Sequence, residues 1–126
     1  MKNSSFKDFV LEQVGDLGDL QCRYMFGDWG LYCDEVFFAI VAEGRLYFRT
    51  DSASRQDYLE MGMEPFRPNP GQTLKSYYEV PVDVIEDRER LTAWARKAVR
   101  SERRKARGRS PDRPGRERKP DGAGSR

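Results

Sequence analysis

Met25 to Arg49, MFGDWGLYCDEVFFAIVAEGRLYFR, decides the fold. Three turn signals divide it: the loop Phe26-Gly27-Asp28-Trp29-Gly30, the acidic pair Asp34-Glu35, and Glu43-Gly44. Gly27 and Gly30 supply the positive φ that a tight hairpin needs. Between the turns the residues are β-branched or aromatic with partial alternation, the pattern of a sheet with a buried face. The stretch therefore reads as three short strands in a meander. Val36–Val41 is too apolar for an edge strand with one wet face, which places it centrally, with Phe38 and Ile40, or else Phe37 and Ala39, beneath helices. Arg45–Arg49 alternates cleanly, Leu46 and Phe48 to one side and Tyr47 and Arg49 to the other.

Working outward, Ser4 or Ser5 caps a helix whose positions Phe6, Phe9, Val10, Gln13, Val14 and Leu17 recur at helical spacing, with Gln13 the polar interruption. Gly15 and Gly18 end it, and Leu20–Met25 alternates weakly as a strand leading into the loop, which turns the chain into Leu31–Cys33. On the other side, Asp51 is an N-cap for a helix over 52–61 in which Tyr58, Leu59, Met61 and Met63 pack down, and Gly62 stops it. Pro65, Pro68 and Pro70 limit the next segment to a short edge strand near Phe66 and a turn at Asn69–Gly71. Gln72–Val80 returns as a strand, Leu74, Ser76, Tyr78 and Val80 on one face and Thr73, Lys75, Tyr77 and Glu79 on the other. A helical turn follows at Val82–Glu86. The last helix starts at Asp87 or Arg88 and carries Leu91, Trp94, Ala95, Ala98 and Val99 as one stripe. The order helix, three strands, helix, two strands, helix predicts a two-layer α+β fold, a five-stranded antiparallel sheet with helices mainly on one face.

Past Val99 the sequence SERRKARGRSPDRPGRERKPDGAGSR has no large apolar residue, so a domain over 1–103 and a basic disordered tail over 104–126 are expected. The formal net charge of +2 conceals a segregation. From Arg96 onward there are thirteen Lys or Arg against four Asp or Glu, and before it ten against seventeen. An acidic body thus carries a basic end, a property that bears on partners rather than on fold. There is no histidine and there are two cysteines, Cys22 and Cys33. That composition leaves too few ligands for an ordinary zinc site and removes the usual base of a nucleophilic dyad. No carboxylates are placed across a cleft and no phosphate-binding glycine loop occurs, so neither catalysis nor a cofactor is expected. No run of apolar residues suits a signal peptide or a membrane span, and the expected location is cytoplasmic.

Three groups of residues stand out as sites. Phe26, Gly27, Trp29 and Gly30 with Tyr32, Tyr47 and Tyr77 either present aromatic surface to a protein partner, a second copy included, or simply plug a corner of the core. Arg103, Arg104, Lys105, Arg107 and Arg109 either contact nucleic-acid phosphates without sequence preference or form a solvated tail, and no aromatics are interleaved for stacking. If Met25 pairs with Gly30, Cys22 falls opposite Cys33, giving either a redox pair or, as the compartment favours, two reduced thiols.

The joint occurrence of Met25-Phe26-Gly27, Gly30-Leu31-Tyr32, Val36-Phe37-Phe38-Ala39, Leu46-Tyr47-Phe48, Asp51, Pro65-Phe66, Ser76-Tyr77-Tyr78-Glu79-Val80-Pro81 and Trp94-Ala95 resembles the N-terminal domain of the TfoX/Sxy family over about residues 5–100. The resemblance implies a small α+β domain similar to secretion chaperones and a non-catalytic, accessory role in regulating transcription of competence genes. It supplies no catalytic residues. Family members of full length carry a second, C-terminal helical domain, and a basic low-complexity tail stands in that place here, which implies a stand-alone form of the first domain.

Overall fold

A computed structural model describes residues 4–25 and 27–108 of the chain. The elements in order are α1 (Ser4–Gln13), β1 (Leu20–Met25), β2 (Asp28–Cys33), β3 (Val36–Ala42), β4 (Arg45–Arg49), α2 (Ser52–Glu60), β5 (Pro65–Asn69), β6 (Gln72–Glu79), α3 (Val82–Ile85) and α4 (Arg88–Gly108). The strands form one antiparallel sheet in the order β1-β2-β3-β4-β6-β5. The architecture is the expected α+β type with six strands rather than five. Leu20–Met25, read from the sequence as a strand but left out of the count of five, makes the sixth and pairs with β2 along its whole length. β2 in turn begins at Asp28 because a two-residue turn, with Gly27 at φ 86°, joins Met25 directly to its partner Asp28.

The helices share one face of the sheet. Val10 and Val14 from the α1 segment, Tyr58 of α2, Val84 and Ile85 of α3, and Leu91, Ala95, Ala98 and Val99 of α4 pack in one cluster with Leu31, Phe38, Ala39, Val41, Leu46 and Phe48 of the sheet. Complete exclusion of such side chains from water is the main favourable contribution to a fold of this size. α4 meets the stripe expectation at Leu91, Ala95, Ala98 and Val99, while Trp94 is half-buried with its ring edge-on to Tyr58 at 4.7 Å. Two expectations are corrected. Phe9 is 41% exposed, and Leu59 and Met61 are 48% and 40% exposed, because only one flank of α1 and Tyr58 of α2 reach the sheet.

A β-bulge sets which side chains of β3 face the helices. Leu31 lies opposite Ala39, but Tyr32 lies opposite Phe37, so Phe38 is the extra residue on β3. Phe38 and Ala39 are thereby both in the helix-side core, and alternation resumes with Val41 on that side and Ile40 and Ala42 on the other. Neither of the two alternating patterns open for β3 is therefore right. Irregular pairing between β5 and β6 similarly sends Leu74 to Phe66 on the far face, away from Tyr78 and Val80.

Two of the hairpin turns put non-glycine residues in the left-handed region: Asp34 and Glu35 at φ 50° and 70°, and Glu43 at φ 53° ahead of Gly44. Asp34 is held there, since its carboxylate accepts the Asp19 N–H at 3.0 Å and its own N–H donates to Asp19 O at 2.8 Å. Asp51 caps α2 as expected, accepting from Ser54 N–H at 2.8 Å while Ser54 Oγ accepts the Asp51 N–H at 3.1 Å. At the far end, α4 passes the expected limit at Arg103 and continues to Gly108, and the tail expectation for 109–126 lies outside the described residues.

Two stability changes follow from this packing. Leu46 is fully buried between sheet and helices, so Leu46→Ala should lower unfolding free energy by about 3 kcal/mol in urea titration, from lost transfer energy plus the cavity. Glu35 is a non-glycine residue in the left-handed region, so Glu35→Gly should raise stability by about 0.5 kcal/mol, the relief of strain exceeding the added chain entropy.

Candidate partner-binding face

The face of the sheet turned away from the helices is not a plain polar surface. Ile40, Ala42, Phe66 and Tyr77 form a second buried cluster there, with Phe37, Tyr47 and Leu74 packed against it. The residues come from four strands because the bulge turns Phe37 and Ile40 to this side while Phe38 and Ala39 go to the other. Their rings run in chains: Tyr32 to Phe37 at 5.2 Å, Phe37 to Tyr77 at 5.6 Å, and separately Tyr47 to Phe66 at 4.6 Å. All three contacts are tilted, an arrangement that aromatic quadrupoles favour over a face-to-face sandwich.

Arginines frame the rings. The Arg23 guanidinium sits 4.8 Å from the Tyr32 ring centre and that of Arg49 5.7 Å from Tyr77. Arg49 is nearly covered, and its Nε lies 3.4 Å from Glu102 Oε1 of α4, so the end of the last helix is tied to the end of this face. Burial pushes the Tyr77 hydroxyl up to about 12, with Arg49 pulling in the opposite direction. Burial likewise raises Tyr47, with Glu79 adding to it. These phenols are neutral at ordinary pH and serve as packing surface.

Between Gly30, Phe37, Ile40, Phe66 and Pro68 the face dips into a concavity of about 190 Å³ whose lining is almost entirely apolar. Gly30, which has no side chain, is part of the lining. Other hollows are of a different kind. The one of about 320 Å³ near α2 and α4 is lined by Asp51, Ser54, Asp57 and Lys97, which already engage one another, Lys97 Nζ lying 3.3 Å from Asp57 Oδ2.

The structure divides the residues singled out from the sequence. Tyr32, Tyr47 and Tyr77 share the open face, and Gly30 lines its concavity. Trp29 lines the concavity but packs with the helix-side core, its ring tilted against Tyr24 at 4.9 Å and covered by the Lys7 ammonium at 4.5 Å. Gly27 serves the hairpin turn, and Phe26 lies outside the described residues. Phe37, Ile40, Phe66 and Pro68 were not singled out. The first two became visible only through the bulge, and the Pro65-Phe66 pair was the one sequence signal pointing at the edge.

Of the basic cluster, Arg103 lies 3.4 Å from Asp34 and so anchors α4 to the β2–β3 turn. Arg104, Lys105 and Arg107 continue the same helix, their side chains outside the described residues, as is Arg109. The cysteine pairing is corrected. Met25 pairs with Asp28, so Cys22 lies opposite Leu31, and Cys33 opposite Leu20. Cys22 and Cys33 are then diagonal neighbours, about 7–8 Å apart and too far for a disulfide. Both are free thiols, and burial, reinforced by Asp34, pushes Cys33 up. A Cβ at Gly18 would fall 2.9 Å from the Cys33 Sγ, which shows how closely the loop after α1 closes over that thiol.

Among the described residues no group of Cys, Asp and Glu is disposed to hold a metal ion, and no helix is long and apolar enough to cross a membrane. Comparison with known proteins gives a match to the TfoX N-terminal domain over residues 12–101. Over 58 residues the chain is 36% identical to Protein Sxy of Escherichia coli (strain K12), an alignment covering 44% of this chain and 28% of that protein. The matched span takes in every strand of the sheet and most of α4, and the chain belongs to the TfoX N-terminal domain family.

Proposed function

We propose that this protein is a non-catalytic interaction domain that acts as an accessory regulator of transcription, of competence genes in particular, from the cytoplasm, by holding a protein partner against the open face of its sheet. The observation that carries this reading is the apolar concavity of about 190 Å³ among Gly30, Phe37, Ile40, Phe66 and Pro68. A recess of that kind, its lining completed by Trp29 and Asp28, suits one apolar anchor side chain of a partner segment, with Tyr32 and Tyr47 on the same face providing contact area that loses little rotamer freedom. Buried tyrosines with raised hydroxyls and the absence of histidine favour binding over acid–base chemistry. Family membership supports the regulatory part of the reading.

Binding of nucleic acid through the basic end is the less supported alternative. Arg103 is already engaged with Asp34, which leaves that mode to the residues after it. Removing residues 104–126 separates the two readings, since the basic residues after Arg103 would be lost and the sheet face kept.

The test is transcript measurement in cells lacking this protein, complemented with the native chain or with Phe37→Ala combined with Pro68→Glu. Phe37 is half-buried and Pro68 exposed, so the double variant should keep its circular dichroism spectrum. Expected is restoration of competence-gene transcripts by the native chain and by the chain ending at Arg103, and failure of the double variant. Full restoration by a folded double variant would remove the open face from the account.

A further inference from the structure

We propose that β1 is a docking edge for β1 of a second copy of this chain, the two strands pairing antiparallel about a two-fold axis at Cys22 and joining two six-stranded sheets into one. This uses a different surface from the open face and does not depend on it.

The two ends of the sheet are built differently. β5, the last strand on one side, has Pro65 and Pro68 within five residues, and proline offers no N–H to an incoming strand. β1, on the other side, is Leu20-Gln21-Cys22-Arg23-Tyr24-Met25 with no proline, and among the described residues no strand pairs with its outer side. Hairpin geometry shows which groups face outward. The two-residue turn between Met25 and Asp28 makes them a hydrogen-bonded pair, and the Asp34 N–H donates to Asp19 O at 2.8 Å at the other end. Asp19, Gln21, Arg23 and Met25 therefore direct their backbone groups to β2. Leu20, Cys22 and Tyr24 direct theirs away from the sheet, and the Tyr24 side chain is 45% exposed.

The edge is complementary to itself in one register. Outward-directed residues pair only with outward-directed residues. With Cys22 opposite the partner's Cys22, Leu20 falls opposite the partner's Tyr24, an aliphatic–aromatic pair that would cover the exposed ring. Gln21 falls opposite the partner's Arg23, which then lies diagonal at about 7–8 Å to Asp19, an opposite-charge contact made twice by symmetry, and to Arg23, a like-charge contact made once across the axis. A slide of two residues one way sets Arg23 against its own copy. A slide the other way leaves Tyr24 outside the paired strands.

Sedimentation equilibrium of the full chain should give twice the chain mass of 14.7 kDa. Cys22→Pro, which removes an outward N–H without removing one from the β1–β2 ladder, should return the mass to a single chain. As a check independent of that variant's folding, chains carrying Gln21→Cys and chains carrying Arg23→Cys, each with Cys22→Ser, are mixed and oxidised. A disulfide dimer should form in the mixture and not in either chain alone. A native chain that stays monomeric, a dimer that survives Cys22→Pro in folded form, a dimer with no cross-link in the mixture, or cross-linking of the Arg23→Cys chain alone would each overturn the proposal.

Discussion

Everything in this fold leans on β3 having no wet face. Phe38, Ala39 and Val41 are in the core beneath the helices, and Ile40 and Ala42 are in the smaller cluster on the other side, all nearly excluded from water. A strand covered on both faces has to be flanked by neighbours, and β2 and β4 occupy those places. The bulge follows from the same need. By placing Phe38 and Ala39 on one side it brings a large ring against Phe48, at 5.8 Å, and still returns Ile40 to the opposite cluster. Strict alternation would have sent one of these apolar residues to the wrong layer.

The second cluster is therefore a by-product of central placement that the protein has enlarged. Tyr32, Phe37, Tyr47, Phe66 and Tyr77 extend it across five strands and leave a concavity at its margin. α4 ties both layers together. Its first half supplies Leu91, Ala95 and Ala98 to the main core, and its second half reaches the sheet's end through Glu102 to Arg49 and Arg103 to Asp34. Exposed ion pairs such as Arg103 to Asp34 add at most about 1 kcal/mol each, so they orient the helix end more than they stabilise it. Arg49 is different, because it is nearly covered and also stacks on Tyr77. Changes at Glu102 should consequently be felt on the open face.

Much of this was legible in the sequence, for reasons that differ from residue to residue. The stripe Leu91-Ala95-Ala98-Val99 has helical period and large amplitude, and Leu46 and Phe48 alternate with polar neighbours, so both faces could be assigned. Asp51 with Ser54 was half visible, the cap from Asp51 alone. The turns were visible as glycine and acidic positions, but their exact lengths were not, and a two-residue shift in the first hairpin displaced the cysteine pairing. β3 resisted because every one of its residues is apolar, leaving no polar marker to reveal where the bulge falls. The open face was half legible for the same reason: its tyrosines could be named, whereas Phe37 and Ile40 could be assigned to it only after the bulge was known.

The central claim, that β3 is sealed on both sides and is the last part of the chain to open, is tested most directly by native-state amide exchange followed residue by residue. The account predicts that Phe38 to Val41 exchange slowest, only through global unfolding, with the amides of α4 from Leu91 to Val99 opening at equal or lower free energy. Faster exchange in β3 than in α4, through local opening that leaves the helix protected, would contradict it.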